Sequence, residues 1–164
     1  MENSKATYYN PLEIYRQVFR AMLRFRREGR IANASTSHAI VLIEELLKHA
    51  TKSVDIYCRR LGPDVWCVDA IVEALRRICN EGRTIRVVVQ EDVDENNRTV
   101  RLLRERGVEI RKDVGVSDNP PSYNFVIVDK EAFRFEQDCE RRVGFACAIN
   151  NDVASKLIAL FDLI

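Results

Sequence analysis

Histidine is rare in this chain, where His38 and His49 are the only two. Both fall in one predicted helix, His38 near its first turn and His49 near its last. His38 suits a helix start or a solvent-facing position, and a protonated His49 would interact favourably with the helix dipole. Because no partner nucleophile accompanies either residue, these structural roles are favoured over catalysis by an imidazole.

Long apolar runs and a strong net charge are absent as well. No apolar run approaches the roughly 20 residues that span a bilayer, and the first residues lead into no apolar signal-peptide core. We therefore expect a cytoplasmic protein that makes no membrane contact. The formal net charge is +1, so any affinity for nucleic acid needs a local basic patch.

The five cysteines are widely spaced, and none forms a C-x-x-C pair. Cys58, Cys79 and Cys147 lie inside apolar runs, where a thiol behaves as a small hydrophobic side chain. The pattern predicts reduced thiols rather than a disulfide framework or a zinc site. We expect neither a metal nor a cofactor.

Length and composition are those of an ordinary globular domain, with 164 residues of which 46% are hydrophobic and 31% are charged. A break at about residues 30–36 separates two helical patterns. We expect an N-terminal amphipathic basic helix within residues 1–34, covering about residues 11–29, and a second unit over residues 35–164.

The second unit alternates between helical and strand patterns. Helices are expected over about residues 37–50, 68–80 and 95–106, with a final helix that begins at Asn150 or Asn151. Strands are expected over residues 53–59, 84–90, 108–112, 122–128, 132–136 and 143–149. Strands separated by helices predict right-handed βαβ units, and the later hairpin adds antiparallel strands. The expected fold is α/β, a mixed sheet with helices on both faces.

One segment has the outline of a phosphodiesterase active-site strand. An H-x-K-x4-D motif places an imidazole and a lysine on one face of a strand, because side chains repeat every second residue. Here Ser122 stands in the place of the histidine, Asn124 in that of the lysine, and Asp129 matches the aspartate.

With this degenerate motif and the order of the segments around it, residues 35–164 resemble the single-domain module of the phospholipase D superfamily. The segments that carry the resemblance are Val54-Asp55-Ile56-Tyr57, the turn and strand of residues 82–87, the strand of residues 107–110, and the tail Ala148-Ile149-Asn150-Asn151-Asp152. The resemblance implies a phosphohistidine mechanism in active members, a lysine that holds phosphate oxygens, and a homodimer that brings two motifs together.

The motif positions of this chain argue against that chemistry. Ser122 would need a neighbouring base to become nucleophilic, and Asn124 brings no positive charge to a phosphoryl group. Asp129 suits either hydrogen bonding at a tight turn or an inherited site position. The substitutions favour a protein that does not hydrolyse phosphodiesters by this mechanism.

The first helix carries the one strongly basic element of the chain. Arginine recognises phosphate through paired hydrogen bonds, so the arginine-rich side of this helix predicts nucleic-acid binding. A solvated outer face of the helix is the alternative. The arginines of this predicted binding face are Arg16, Arg20, Arg24 and Arg27. An apolar stripe on the other side, with Tyr15, Phe19 and Met22, either covers the protein's own sheet or forms a dimer or partner interface.

The sequence also predicts the surroundings of two further residues, Trp66 and Arg134. Trp66 follows the first strand of the second unit, where packing of a loop is favoured over stacking on a base. Arg134 alternates onto one strand face with Glu136, and a surface position is favoured over a place in the cleft.

Together these observations predict a catalytically inactive phospholipase D-like protein that acts as an assembly subunit. Its expected partners are nucleic acid, a partner protein or a second copy of itself. Two alternatives stay open. One is a phosphodiesterase or nuclease whose unusual site is completed by dimerisation or by a partner, and the other is a purely structural subunit.

Overall fold

The computed structural model describes residues 10–115 and 123–164. Seven strands form one sheet in the order β1-β7-β6-β5-β2-β3-β4. The strands are β1 (Ile31–Asn33), β2 (Ser53–Cys58), β3 (Thr84–Val89), β4 (Ile110–Lys112), β5 (Asn124–Val128), β6 (Ala132–Asp138) and β7 (Val143–Cys147). The helices are α1 (Pro11–Phe25), α2 (Thr36–His49), α3 (Pro63–Trp66), α4 (Asp69–Asn80), α5 (Arg98–Glu105) and α6 (Asn151–Asp162).

The sheet has a parallel half and an antiparallel half. Strands β2, β3 and β4 run parallel, because α4 and α5 carry the chain back between them. Strands β5, β6 and β7 follow one another through short turns and pair antiparallel, and β5 joins the two halves by pairing with β2. The expected α/β fold with a mixed sheet is confirmed.

Each face of the sheet supports its own hydrophobic core. One face packs against α1 to α5 and includes Ile56 of β2 and Val126 of β5. The other face packs against α6 and includes Tyr57 and Phe125 from the same two strands. Because successive side chains of a strand point to opposite faces, Asn124 of β5 lies on the same face as Val126, beneath the larger helical layer.

Two short elements were not expected from the sequence. Strand β1 lies in the segment that was predicted to be a break, and it pairs antiparallel with β7 over Ile31↔Ala146 to Asn33↔Gly144. Helix α3 lies in the predicted loop that follows β2. Trp66, its last residue, is buried in the larger core, so the packing role expected for it is confirmed.

Helix α1 ends at Phe25, four residues before the predicted end. Arg26 takes the left-handed conformation with φ 51°, and its backbone N–H bonds to the carbonyl oxygens of Leu23 and Met22. At the other end, the side chain of Asn10 accepts hydrogen bonds from the first free N–H groups of the helix. Among the described residues, no helix is long and apolar enough to cross a membrane.

Gly144 allows β7 to pass close to β6, and we expect Gly144→Ala to destabilise the fold. A Cβ at this position would lie 2.7 Å from the Cα of Glu136 and closer still to the carbonyl oxygen of Phe135, which is fixed backbone. The loss should be about 1–3 kcal/mol in the free energy of unfolding, the usual range for overpacking. Urea denaturation measures it. Gly115→Ala is the control, since its Cβ would meet a flexible Asp113 oxygen at 3.3 Å. Equal stability of the two variants would contradict the prediction.

Candidate functional site

A cleft of about 400 Å³ opens where β2 ends and β5 begins. Its walls are residues 58–66, Asn124, Cys139, Glu140 and Arg142. In open α/β sheets, ligands approach the carboxyl ends of the parallel strands, and β2 ends here. The cleft is therefore the candidate functional site of this fold, and of the two motif positions that the structure describes it contains Asn124.

Both polar atoms of the Asn124 side chain are engaged inside the protein. The oxygen accepts a hydrogen bond of 3.1 Å from the backbone N–H of Arg59, which ties the start of β5 to the end of β2. The amide nitrogen donates to Glu136 Oε1 at 3.0 Å. The residue at the lysine position of the motif thus joins two strands and a carboxylate.

Glu136 is the centre of a buried polar network. Its side chain has no exposed surface, and its second oxygen accepts a short hydrogen bond from Arg134, which is 3% exposed. The Nε of Arg134 donates to the Asn33 side-chain oxygen at 3.0 Å, so the network reaches β1 at the edge of the sheet. Burial lowers the pKa of the Arg134 guanidinium, and the adjacent Glu136 carboxylate opposes that shift.

Arg142 connects this network to the wall of the cleft. One guanidinium nitrogen lies 3.4 Å from Glu136 Oε1, and another donates to Asp64 at 2.6 Å. The side-chain amide of Asn33 donates to the backbone carbonyl of Arg142. The two arginines and two carboxylates balance one another in charge, so the network is formally neutral.

The outer wall of the cleft carries two more arginines. Arg59 makes an ion pair with Glu91 at 2.5 Å and lies 4.0 Å from Glu140. Arg60 is exposed and makes no ion pair with the residues that the structure describes. The cleft therefore offers arginine side chains to an anion, although acidic neighbours offset most of their charge.

Neither histidine of the chain lines the cleft. His38 stacks on the ring of Tyr15, with centroids 4.2 Å apart, and its Nδ1 accepts a hydrogen bond from the backbone N–H of Ala34. His49 is exposed at the end of α2. Ser122, the residue at the histidine position of the motif, lies outside the described residues.

Asp129 lies at the opposite end of β5 from Asn124, away from the cleft. Its carboxylate accepts hydrogen bonds of 2.7–2.9 Å from the backbone N–H groups of Thr51, Lys52 and Ser53, and one of 2.8 Å from the Thr51 hydroxyl. Partial burial raises the pKa of Asp129, but these hydrogen bonds lower it by more. The pKa of Asp129 therefore lies below its ordinary value. The side chain fixes the turn that leads from α2 into β2.

The four arginines predicted to bind nucleic acid divide into two pairs. Arg16 bonds to Glu44 at 2.6 Å and to Glu45 at 3.0 Å, and Arg20 bonds to Glu45 at 2.8 and 2.9 Å. These contacts attach α1 to α2. Arg24 and Arg27 are exposed and make no ion pair within residues 10–115 and 123–164. Of the four predicted arginines, these two present unpaired charge to the solvent.

The three residues predicted to form an interface lie on the inner side of α1. Phe19 has no exposed surface and belongs to the larger core, against which Tyr15 and Met22 also pack. The Tyr15 hydroxyl donates to the carbonyl oxygen of Ala32 at 2.6 Å. Of the two alternatives for this stripe, the geometry places it over the protein's own body.

The surface position expected for Arg134 is wrong, because α2 packs over that face of β6 and leaves Arg134 buried. Sequence reasoning also missed Glu136 and Asn33 as members of the site. The only available signal was the alternation that puts Asn124, Arg134 and Glu136 on one face of adjacent strands, and the register that places Asn124 opposite Glu136 comes from the structure.

Comparison with solved structures shows which class of fold this chain has. The structure is similar to that of Nuc from Salmonella typhimurium, a phospholipase D family member, with a TM-score of 0.58 and 14% sequence identity over 83% of this chain and 93% of that one. It is also similar to TrmBL2, an archaeal chromatin protein with a novel mode of DNA binding, with a TM-score of 0.59 and 13% identity. That match covers 92% of this chain, which spans 58% of TrmBL2.

Residues 35–164 match a family described as a domain of unknown function, DUF7931. This chain belongs to that family, and its fold is similar to that of a phospholipase D family member. None of the curated proteins matches it in sequence.

The buried ion pair between Arg134 and Glu136 should contribute to the stability of the fold. Arg134→Met should lower the free energy of unfolding by about 3 kcal/mol, because it leaves the buried Glu136 carboxylate with only the longer contact of 3.4 Å to Arg142 as a counter-charge. Arg134→Met combined with Glu136→Met should recover most of that loss. Urea denaturation provides the measurement.

Arg26→Met is the matched control for Arg134→Met, since Arg26 is 61% exposed in its pair with Glu131. Loss of an exposed pair should cost less than about 1 kcal/mol. A loss for Arg134→Met no greater than that of the control would contradict the role given to the buried pair.

Asp129→Asn should destabilise the protein at neutral pH by about 1–2 kcal/mol, since a neutral amide accepts the three N–H groups less strongly than a carboxylate and the site is partly exposed. Asparagine tolerates the left-handed conformation that Asp129 adopts, so backbone strain does not contribute. Because the folded pKa lies below the ordinary value of 3.8, the contribution is complete above that pH and is lost as pH falls through the folded pKa.

The measurement for Asp129 is the unfolding free energy of both proteins from pH 7 to pH 2. The gap between wild type and Asp129→Asn should narrow as the pH falls below the ordinary aspartate value. A gap that stays constant over the whole range would show that the charge of Asp129 has no part in the turn.

Proposed function

We propose that this protein binds nucleic acid through its phosphate groups and does not cleave it. The hydrogen bonding and the residue types of the cleft support the proposal that nucleic acid is not cleaved. Asn124 is fully hydrogen-bonded within a neutral network, and neither histidine of the chain lines the walls. A site built in this way has no imidazole to attack phosphorus and no cation at the lysine position of the motif.

The basic end of α1 is the proposed binding surface. Arg24 faces a shallow depression of about 250 Å³ that it shares with Arg20, Lys48 and His49. Glu45 lies in the same depression but is held by Arg20, and Lys48 is paired with Glu44. Arg24 and Arg27 therefore supply the charge that remains for a ligand, and an arginine fork is suited to phosphate oxygens.

The fold supports nucleic acid as the ligand class. TrmBL2, whose structure is similar over 92% of this chain, is a DNA-binding chromatin protein. Because the two sequences are only 13% identical, the similarity extends to the fold and not to particular binding residues. The formal net charge of +1 agrees with a local patch rather than with a protein that is basic throughout.

The test is a fluorescence titration of labelled single-stranded DNA, duplex DNA and RNA at several salt concentrations. Binding should weaken steeply with salt. Arg24→Ala combined with Arg27→Ala should reduce the slope of log K against log salt by about 2, one for each lost phosphate contact. The strands should remain at full length on a denaturing gel.

Arg101→Ala combined with Arg111→Ala is the control for this titration, because it removes the same charge from two exposed arginines that make no ion pair with any described residue. A similar loss of binding in both double variants would contradict the α1 surface. Cleavage that survives purification and disappears in Ser122→Ala would overturn the non-hydrolytic function.

A further inference from the structure

Helix α1 carries a second apolar stripe, which faces away from the protein. Ile14 is 43% exposed, Val18 is 46% exposed and Phe25 is 60% exposed, and Ala21 is exposed between them. Their spacing of four, three and four residues places all four on one line along the helix. This is the spacing of a seam that packs against another helix.

This exposed stripe is separate from the inner side of α1. The inner side packs Tyr15, Phe19 and Leu23 against the larger core, and none of the exposed residues belongs to either buried core. Three of the six large hydrophobic residues that the structure exposes are therefore concentrated on one helix of 15 residues. Scattered exposed apolar residues are ordinary, but an aligned set marks an interaction surface.

The charges beside the stripe indicate what covers it. At 100° per residue, Glu13 and Arg24 lie on the same flank of the stripe, Glu13 near the start of α1 and Arg24 near its end. A second α1 that runs antiparallel would bring its Arg24 beside this Glu13 and its Glu13 beside this Arg24. In a parallel copy, related by a two-fold axis along the helices, the two charged flanks would fall on opposite sides of the seam, so the opposite charges would not meet.

We propose that α1 pairs with α1 of a second copy of this chain, antiparallel and about a two-fold axis between Val18 and Ala21. Ile14 packs against Phe25 of the second copy, and Val18 packs against the small Ala21. The two-fold axis repeats each contact, as an isologous interface requires. This pairing does not rest on nucleic-acid binding, and because both use Arg24, the contact with Glu13 of the second copy competes with a phosphate contact at that residue.

The interface is small, since each copy contributes one face of a 15-residue helix. An area below the standard size of about 1,600 Å² is typical of weak, reversible association. The dimer should therefore form in a concentration-dependent manner. It should not be required for folding, because the inner side of α1 is already covered by the chain itself.

Sedimentation velocity over about a hundredfold range of protein concentration tests the pairing. The wild type should shift from the 19.0 kDa of one chain toward twice that mass. Val18→Asp should raise the dissociation constant by at least about tenfold, because it buries a carboxylate in the seam. Val114→Asp is the matched control, since Val114 is 93% exposed just after β4, at the opposite edge of the sheet from β1, and should not change association.

A charge-reversal cycle tests the antiparallel direction. Arg24→Glu should weaken the dimer, and Glu13→Lys combined with Arg24→Glu should restore it, because the restored pair has opposite charges again. A wild type that stays monomeric at every concentration would overturn the proposal. So would an oligomer that Val18→Asp leaves unchanged, since that oligomer would use another surface or the residues before α1.

Discussion

The Glu136 carboxylate is a charge that the fold has removed from water, and much of the site is arranged to compensate it. A buried ion is strongly unfavourable unless opposite charge and hydrogen bonds surround it. Arg134 supplies the charge, while Asn124 and Arg142 supply further donors. These partners come from β5, β6 and the segment before β7, so one side chain holds together three neighbouring parts of the antiparallel half.

This compensation has a consequence for the cleft. Arg134 already balances Glu136 from within the protein, and the residue at the lysine position is a neutral asparagine that bridges Glu136 and the backbone of Arg59. The polar groups that would meet a phosphate are thus bonded to one another. The charge available to a ligand lies farther out, on exposed arginines such as Arg60 and those at the end of α1.

The Asp129 carboxylate has a structural role at the start of β2. It receives three backbone N–H groups and a hydroxyl at the entrance to β2, at the far end of β5 from the cleft. These hydrogen bonds position the central strand whatever chemistry takes place at the other end.

The sequence determined the elements whose signals are local. A continuous apolar run at its centre marked β3, the helical spacing of apolar residues marked α4, and the alternation of helix and strand implied the mixed sheet. Tertiary structure alone decided where β1 pairs, which arginines of α1 are bound to α2, and that Arg134 is buried. Those outcomes depend on contacts such as Arg134 with Asn33, which are 101 residues apart, and no local pattern encodes a contact at that distance.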